Sequence, residues 1–434
     1  MANKTSMNRR KFLTRSCRAL SVGAVLFTGT KSGKAFAARV GPSDQVRIAV
    51  IGNGGMGGRH VEALAENPNC HITALCDVAK QRFNTSLDKV QEKTGRRPEG
   101  FQDFRYVLDH NEVDGIFIAT PDHWHPLLTI LGCQAGKDVY VEKPACPTVS
   151  EGRAMVEAGR RYGRVVQLGT QQRSMPVFQK AIDLVKSGRL GQITSASCWV
   201  GVNDAWSVGT PVEPVPNGLD WDLWLGPSPY EPFSKNRYFG FMGNHDYARG
   251  GQLTNWGVHL MDILHWGIGQ DRPLNVEAMG TSPRGGAGGH NFETVDAMWE
   301  YPGCSVTWEQ RNSNEHGGKG YGIKFQGTEG SLVVDRVSFK VFPESLGIAE
   351  WVGEPEKSWA NPDHHNNFFD CVRNRKRPAA DIEQGVRSTT PVLLAGIALK
   401  TRRKLTWDAD AEQFVNDDAA NRYLSRAYRS PWHV

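Results

Sequence analysis

Three glycines, an aspartate and two short polar turns are the residues whose types and spacing suggest chemistry. Gly52, Gly54 and Gly57 make Gly-x-Gly-x-x-Gly within Gly52-Asn53-Gly54-Gly55-Met56-Gly57-Gly58. The first glycine permits a tight turn, the second lets the backbone approach a pyrophosphate, and the third lets a helix pack closely on a strand. Met56 sits on the same turn, so Gly52, Gly54, Met56 and Gly57 are candidate cofactor-binding positions. Asp77 lies twenty residues past Gly57. A carboxylate there accepts hydrogen bonds from a ribose diol and repels a 2′-phosphate, so the cofactor expected is NAD rather than NADP. Two further groups follow: Thr120-Pro121-Asp122-His123-Trp124-His125 and Glu142-Lys143-Pro144.

These residues need elements to hold them. Val46-Arg47-Ile48-Ala49-Val50-Ile51 is a nearly continuous apolar run, as in a strand buried on both faces. It leads into the glycine turn, and Val61, Leu64 and Ala65 then mark a helical stripe. A second strand, 71–76, ends at Asp77. Asp103 is placed to cap a short helix after Phe101. Strands at 113–119, 138–141 and 165–168 alternate with helices at about 126–135 and 151–162. Such alternation implies a doubly wound parallel sheet, which binds ligands at the carboxyl ends of its strands. Both polar turns lie at those ends.

In its Gly-x-Gly-x-x-Gly, Ala119-Thr120-Pro121 with His125, and Glu142-Lys143-Pro144, the chain resembles the glucose–fructose oxidoreductase / inositol dehydrogenase (Gfo/Idh/MocA) family. The likeness is sharp from Val46 to about Arg173 and looser beyond. It implies an α/β Rossmann domain followed by an α+β domain with a large, mostly antiparallel open sheet. One face of that sheet packs on another subunit, giving a homo-oligomer. Strand-like runs at 193–202, 294–301, 305–311, 322–326 and 331–334 agree, and 301–303 and 327–330 read as turns between them. The division expected is 38–170 for the NAD-binding domain and 171–434 for the substrate and oligomerisation domain.

The resemblance also implies a catalytic lysine, here Lys143, and an Asp-x-x-x-His pair on a helix of the second domain. That pair corresponds to Asn255-Trp256-Gly257-Val258-His259, with asparagine where the family has aspartate. Positions i and i+4 share a helix face, so Asn255 and His259 can reach one ligand. Asn255 hydrogen-bonds but carries no charge, and Asp262, one turn on, is the candidate to orient His259. His259 is the expected base, titrating near neutrality. Lys143 serves as base with a lowered pKa, or as a donor to developing alkoxide charge. Thr120, Pro121, His125, Glu142 and Lys143 border the cofactor, and Arg173 faces the substrate cleft with Asn255, His259 and Asp262. His123-Trp124-His125 lacks a third positioned ligand, so no metal site is expected. His364-His365 reads as solvated at the start of a late helix. Nine aromatic residues lie in the 43 residues from Trp199 to Phe241, about twice the 9% of the whole chain. They suit a sugar's C–H face or, equally, staple a long loop.

The remaining features concern compartment and partners. Arg9-Arg10-Lys11-Phe12-Leu13, an apolar stretch from Ala19 to Phe27, and Ala35-Phe36-Ala37 form the layout of a twin-arginine signal, residues 1–37. The mature chain then begins near Ala38, in the periplasm or outside the cell. The first 37 residues hold eight basic residues and no acid, so setting them aside leaves −3 of the formal +5. That balance argues against nucleic acid as a partner. No apolar run reaches the length of a membrane span. Beyond Cys17 there are seven cysteines without Cys-x-x-Cys spacing, which reads as buried thiols.

The function expected is NAD-dependent oxidation of a sugar, polyol or sugar derivative, with cofactor loaded before export. Three alternatives differ in outcome: paired oxidation and reduction of two sugars, an NAD-dependent glycosidase working through transient oxidation of the ring, and a non-catalytic sugar-binding protein with structural NAD. If Arg9-Arg10 directs export, the double variant Arg9→Lys with Arg10→Lys strands the precursor in the cytoplasm. Fractionation of cells expressing it, showing normal periplasmic delivery, would remove the export assignment.

Overall fold

The computed structural model describes residues 44–201, 211–281, 291–311, 320–354 and 360–433. Residues 1–37, expected to be a signal, and Trp206 with its neighbours therefore lie outside the described residues. The first six strands, apart from an exposed edge strand, are largely buried because both faces are covered. They are β1 (Val46–Ile51), β2 (Cys70–Cys76), β3 (Glu99–Phe101), β4 (Gly115–Ile118), β5 (Asp138–Val141) and β6 (Val166–Leu168). They form a six-stranded sheet in the order β3-β2-β1-β4-β5-β6, every pair parallel. The connecting helices are α1 (Gly55–Ala65), α2 (Lys80–Thr94), α3 (Phe104–Leu108), α4 (His125–Gln134) and α5 (Val149–Arg161). Val61, Leu64, Phe83 and Leu87 of α1 and α2 cover one face, and Leu127, Leu128, Ile130 and Val156 of α4 and α5 the other. Asp103 caps α3 by accepting from Arg105 N, and Thr148 caps α5.

After α6 (Pro176–Lys186) and β7 (Ile193–Gly201) the chain makes the short helices α7 (Trp221–Leu225), α8 (Lys235–Phe239) and α9 (Gln252–Asn255), then α10 (Gly257–Ile268). The strands β8 (Asn275–Thr281), β9 (Thr294–Tyr301), β10 (Cys304–Arg311), β11 (Tyr321–Gly327), β12 (Ser331–Val334), β13 (Ser338–Phe342) and β14 (Trp351–Val352) follow. Two helices, α11 (Pro362–Asn374) and α12 (Ile382–Thr401), precede β15 (Leu405–Asp408) and β16 (Gln413–Phe414). The second sheet has ten strands in the order β14-β13-β12-β11-β7-β10-β9-β8-β15-β16. Only β7 and β10 pair in parallel. Its strands alternate where the first sheet's do not: in β9, Val295, Ala297, Trp299 and Tyr301 are buried while Asp296, Met298 and Glu300 are exposed. One face is therefore core, and the other is open in the single chain.

The expected division at residue 170 is crossed later in the chain. Phe368 and Phe369 of α11 pack into the parallel sheet against Phe117 and Tyr140. Gln167 forms an isolated bridge with Asp381, and Leu168 N donates to Ala380 O at 2.9 Å. The expectation for His364-His365 is corrected here: both are fully buried on α11, because that helix is a layer of the first sheet rather than a surface element. The seven cysteines are buried free thiols. Among the described residues no helix is long and apolar enough to cross a membrane.

Phe368 is fully buried between Phe117, Tyr140 and Phe369. Phe368→Ala is expected to cost about 3–5 kcal/mol, as other large-to-small changes of buried rings do. Urea unfolding checks this, and a loss below about 1 kcal/mol would show that α11 is not part of the folding unit.

Candidate active site

The glycine turn is fixed by contact as well as by sequence. Gly52 has φ +89°, and a Cβ there would fall 2.6 Å from Ala119 O. A Cβ on Gly57 would fall 1.8 Å from Gly52 O, so α1 sits directly on the turn. Gly54 caps α1 with no side-chain hydrogen bond, and nothing lies within 4 Å of a Cβ built on Gly55. The first turn of α1 thus presents backbone N–H groups to an open groove, the arrangement that binds phosphates. Asp77, at the end of β2, accepts from Asn53 N at 2.7 Å and Ala79 N at 2.8 Å. Burial lifts its pKa, against those two donors and Arg82.

Gly52, Gly54, Met56, Asp77, Thr120, Pro121, His125, Glu142, Lys143, Asn255 and His259 all line one cavity of about 550 Å³. Gly57 lies behind it as packing. The buried Thr120 Oγ1 has no protein partner. That hydroxyl, the uncapped helix start and Asp77 are the donor and acceptor set that a dinucleotide uses, so the residues fit NAD. His125 spans two turns, with Nδ1 2.8 Å from Pro144 O and Nε2 3.0 Å from Thr120 O. Burial lowers its pKa. His123 is buried away from the cavity, with Nε2 donating to Trp224 O at 2.9 Å; burial drives its pKa to about 3.

Glu142, buried at the end of β5, meets His60 of α1 at 2.9 Å, and His60 Nδ1 lies 3.0 Å from His365 Nε2. Burial works to raise Glu142, but the hydrogen bond and charge of His60, with Lys143, outweigh it and hold the carboxyl below its ordinary range. Lys143 is half-buried and donates to Asn255 Oδ1 and, at 3.4 Å, to Asn255 O. Asn255 Nδ2 donates to Gln252 Oε1 at 2.9 Å, which fixes the amide with its oxygen toward the lysine. Burial lowers the Lys143 pKa, opposed by Glu142 and Asp122 and assisted by Arg336.

Asn255 and His259 are not on one continuous helix. Asn255 ends α9, Trp256 interrupts, and His259 lies in the first turn of α10. Both still reach the cavity. His259 Nδ1 is buried with no protein partner, and Gln172, oriented to suit both neighbours, donates to His259 O at 2.9 Å and accepts from Arg336 Nε at 3.2 Å. Burial, then Lys143 and Arg336, drives His259 well below the ordinary histidine value. The expectation of titration near neutrality is therefore corrected: two cations beside a dry imidazole hold it neutral.

Two substrate positions are corrected as well. Arg173 and Asp262 do not line the cavity. They form a buried pair, Nε–Oδ2 2.7 Å and Nη2–Oδ1 2.9 Å, and Ser388 Oγ donates to Asp262 at 2.8 Å. Asp262 is thus consumed by α10–α12 packing and does not orient His259. The residues that sequence reasoning passed over are Arg82, Asp122 and Arg336, which line the cavity. Asp122 stood in view in the Thr120–His125 turn; Arg336, between β12 and β13, carried no motif. Its guanidinium lies 5.0 Å from the Trp256 ring centre. Of the aromatic run, Trp224, Tyr238, Phe239 and Phe241 line the cavity, while Trp221 and Phe233, joined by Tyr247 from beyond the run, pack behind with Trp224 and Tyr238. Trp199 belongs to β7, and Tyr230 is exposed.

A parallel sheet in 3-2-1-4-5-6 order, a glycine turn and a polar cluster at its strand ends define an NAD-binding oxidoreductase architecture. Comparison with known families agrees. Residues 46–170 match the Oxidoreductase family, NAD-binding Rossmann fold model, and residues 185–434 the Oxidoreductase family, C-terminal alpha/beta domain model. The chain belongs to the Gfo/Idh/MocA oxidoreductase family. It is 26% identical over 314 residues to levoglucosan dehydrogenase of Pseudarthrobacter phenanthrenivorans, covering 66% of this chain and 73% of that one. It is 25% identical over 327 residues to a glycosyl hydrolase family 109 protein of Parabacteroides distasonis, covering 67% and 66%. For four further curated relatives the match spans 42–59% of their length. In fold it resembles the aldose-aldose oxidoreductase from Caulobacter crescentus, with TM-score 0.64, 20% identity, and 83% and 99% coverage.

Asp122 is buried in the cavity wall, and burial raises its pKa to about 7, with Lys143 opposing. The unfolded chain releases this proton near the ordinary aspartate value of about 3.9. Between those two values the native state holds the extra proton. Its stabilising contribution is therefore complete below pH ~4 and lost as pH rises to about 7. Asp122→Asn should match the wild type at about pH 4 and gain roughly 1–3 kcal/mol over it by about pH 8. Denaturant unfolding at the two pH values checks this; a pH-independent difference would show that the carboxyl is solvated.

Proposed function

We propose that this chain is an exported oxidoreductase that retains NAD and oxidises a carbinol of a sugar, polyol or sugar derivative. The observation that carries the reading is the meeting of Lys143, Asn255 and His259 in the same cavity as the glycine turn and Asp77. The names of the levoglucosan dehydrogenase and aldose-aldose oxidoreductase relatives support the substrate class. The twin-arginine layout supports export. The open face of the ten-stranded sheet, where Met279 and Met298 are exposed, supports a homo-oligomer.

NAD, when bound, supplies one thing: it accepts the hydride from the carbinol carbon. The chain supplies the rest. Gly52, Gly54 and the start of α1 would hold the pyrophosphate, and Asp77 would take the ribose hydroxyls. Lys143 and His259 meet the reacting hydroxyl. Their pKa directions divide the work. A histidine held neutral by burial, with the Arg336 cation nearby, is a weak proton acceptor and a good hydrogen-bond partner, so His259 orients the hydroxyl. Burial moves Lys143 toward its neutral form, and the amide of Asn255 accepts a hydrogen bond without holding the proton by charge. In its neutral form Lys143 takes the role of proton acceptor, with burial and Arg336 left to keep His259 neutral; the sequence pointed to His259 for that role. Trp224, Tyr238, Phe239 and Phe241 exclude water and offer apolar faces to cofactor or sugar.

A second reading, glycoside cleavage through transient oxidation, is favoured by the glycosyl hydrolase family 109 relative and by Asn255. One experiment separates the readings. The purified protein is incubated with sugar and glycoside panels while cofactor redox state and aglycone release are both followed. Lys143→Ala and His259→Ala should each lower turnover by ~10²-fold or more, as removal of a positioned proton acceptor or donor does. Each should still copurify with dinucleotide, measured after denaturation, because the glycine turn is untouched. Full activity of Lys143→Ala would remove the mechanism. Bound NAD with no redox change on any sugar would leave only the binding-protein reading.

A further inference from the structure

Much of the cavity wall comes from outside the parallel sheet. Leu223, Trp224, Tyr238, Phe239, Phe241 and Met242 face the glycine turn and Asp77 across the groove. This wall is attached by backbone bonds to residues 78–80, where the chain passes from β2 to α2. Lys80 N donates to Gly218 O at 3.0 Å, Asp220 N to Val78 O at 2.9 Å, and Ala79 forms an isolated bridge with Leu219. Gln102 Nε2 donates to Gly218 O at 3.1 Å. At the groove's mouth the Arg82 guanidinium lies 4.7 Å from the Tyr238 ring centre, a cation–π contact that joins α2 to α8. On the inner side Trp124 Nε1 donates to Leu223 O and Trp224 O, each at 3.1 Å.

The segment 426–432 binds the outside of this wall and lines none of the cavity. Arg429 donates from Nε to Gly226 O at 3.0 Å and from Nη2 to Asp222 O at 2.8 Å, and its own N donates to Pro227 O at 3.0 Å. Arg429 also pairs with the Asp222 carboxylate at 2.5 Å. Arg426 donates to His123 O at 2.9 Å and pairs with Glu151 at 2.8 Å. Trp432 packs edge-on against Trp124, ring centres 5.0 Å apart, and tilted against Phe104 at 6.0 Å. Trp124 and Phe104 are themselves cavity-lining. The segment therefore ties α7, the Thr120–His125 turn and α5 together behind the site.

We propose that residues 218–242 form the second wall of the dinucleotide site and that segment 426–432 latches this wall shut, so that NAD leaves only when the latch opens. The proposal deepens the reading that the chain retains its cofactor, and it rests on that reading. A wall held by backbone bonds at one side and by Arg429 at the other, with Trp432 anchoring the same segment on Trp124 and Phe104, must break several contacts at once to open. Release is then slow because it waits on a collective motion rather than on dinucleotide contacts alone. An exported enzyme gains directly from this, because cofactor lost outside the cell is not readily replaced.

The test follows release rather than activity. Full-length protein loaded with NADH is mixed with excess NAD, and the loss of bound-NADH fluorescence gives the dissociation rate. Arg429→Ala and Trp432→Ala should each release NADH at least tenfold faster than wild type, and Trp432→Phe should recover most of the slow rate. Arg429 is only half-buried, so Arg429→Ala decides the matter if Trp432→Ala does not fold. Slow release by the wild type with equally slow release by Arg429→Ala would overturn the latch and leave retention standing. Wild-type release within the mixing time would overturn retention itself.

Discussion

The buried hydrogen bond between His60 and Glu142 is the contact on which the site's geometry depends. Its two partners belong to the elements that must be held in register: α1, whose first turn faces the dinucleotide, and the end of β5, which carries Lys143. His365 extends the bond to α11 at 3.0 Å, so a helix from far along the chain completes the support. A carboxylate in so dry a place keeps its charge because His60, by hydrogen bond and charge, and Lys143 outweigh the cost of burial. Glu142 in turn opposes the loss of the Lys143 proton, while burial and Arg336 promote it. The groups that shift the lysine toward its neutral form, and the carboxylate that opposes the shift, thus also surround and position it.

Much of this is legible in the sequence because the first sheet is buried on both faces. Ile48 to Ile51, Ile116 to Ile118 and Val139 to Val141 read as apolar runs, and the glycine turn and Asp77 follow from local geometry. What escapes a reading of the sequence is decided by partners distant along the chain. β3 is a three-residue edge strand with Glu99 and Gly100 exposed, so no apolar pattern announces it. His364 and His365 look polar in the sequence, yet α11 is buried because Phe368 and Phe369 draw it into the sheet. Arg173 and Asp262 lie 89 residues apart, and nothing local says that each satisfies the other. Helical spacing puts Asn255 and His259 on one face; the chain achieves the same convergence through a break at Trp256.

The aromatic run between Trp199 and Phe241 shows why composition alone could not choose between a sugar platform and a staple. The rings form two layers, one packed as a small core and one lining the cavity. Trp221 and Trp224 stack with centres 4.5 Å apart, and Phe233 closes on Trp221 edge-first at 5.1 Å. This small core gives a segment of short helices enough buried surface to stand against the parallel sheet. Its inner layer is left to face the cofactor groove. A wall built this way can be stiff without belonging to either large sheet.

Asn255 gives the site its individual character, because it removes one charge at the point where charge matters most. An aspartate there would hold Lys143 protonated through a direct ion pair, in a region where Coulomb energy is weakly screened. Asparagine keeps the geometry, with its amide anchored by Gln252 and its oxygen on the lysine, and withdraws the charge. The lysine is then held in place by a group that does not resist its deprotonation. His259, kept neutral by burial and by Arg336, is left to align a hydroxyl on the proposed mechanism. Substitution of a carboxylate by its amide therefore need not disable proton transfer here: on that mechanism the lysine takes the proton, and both side chains stay in the same cavity.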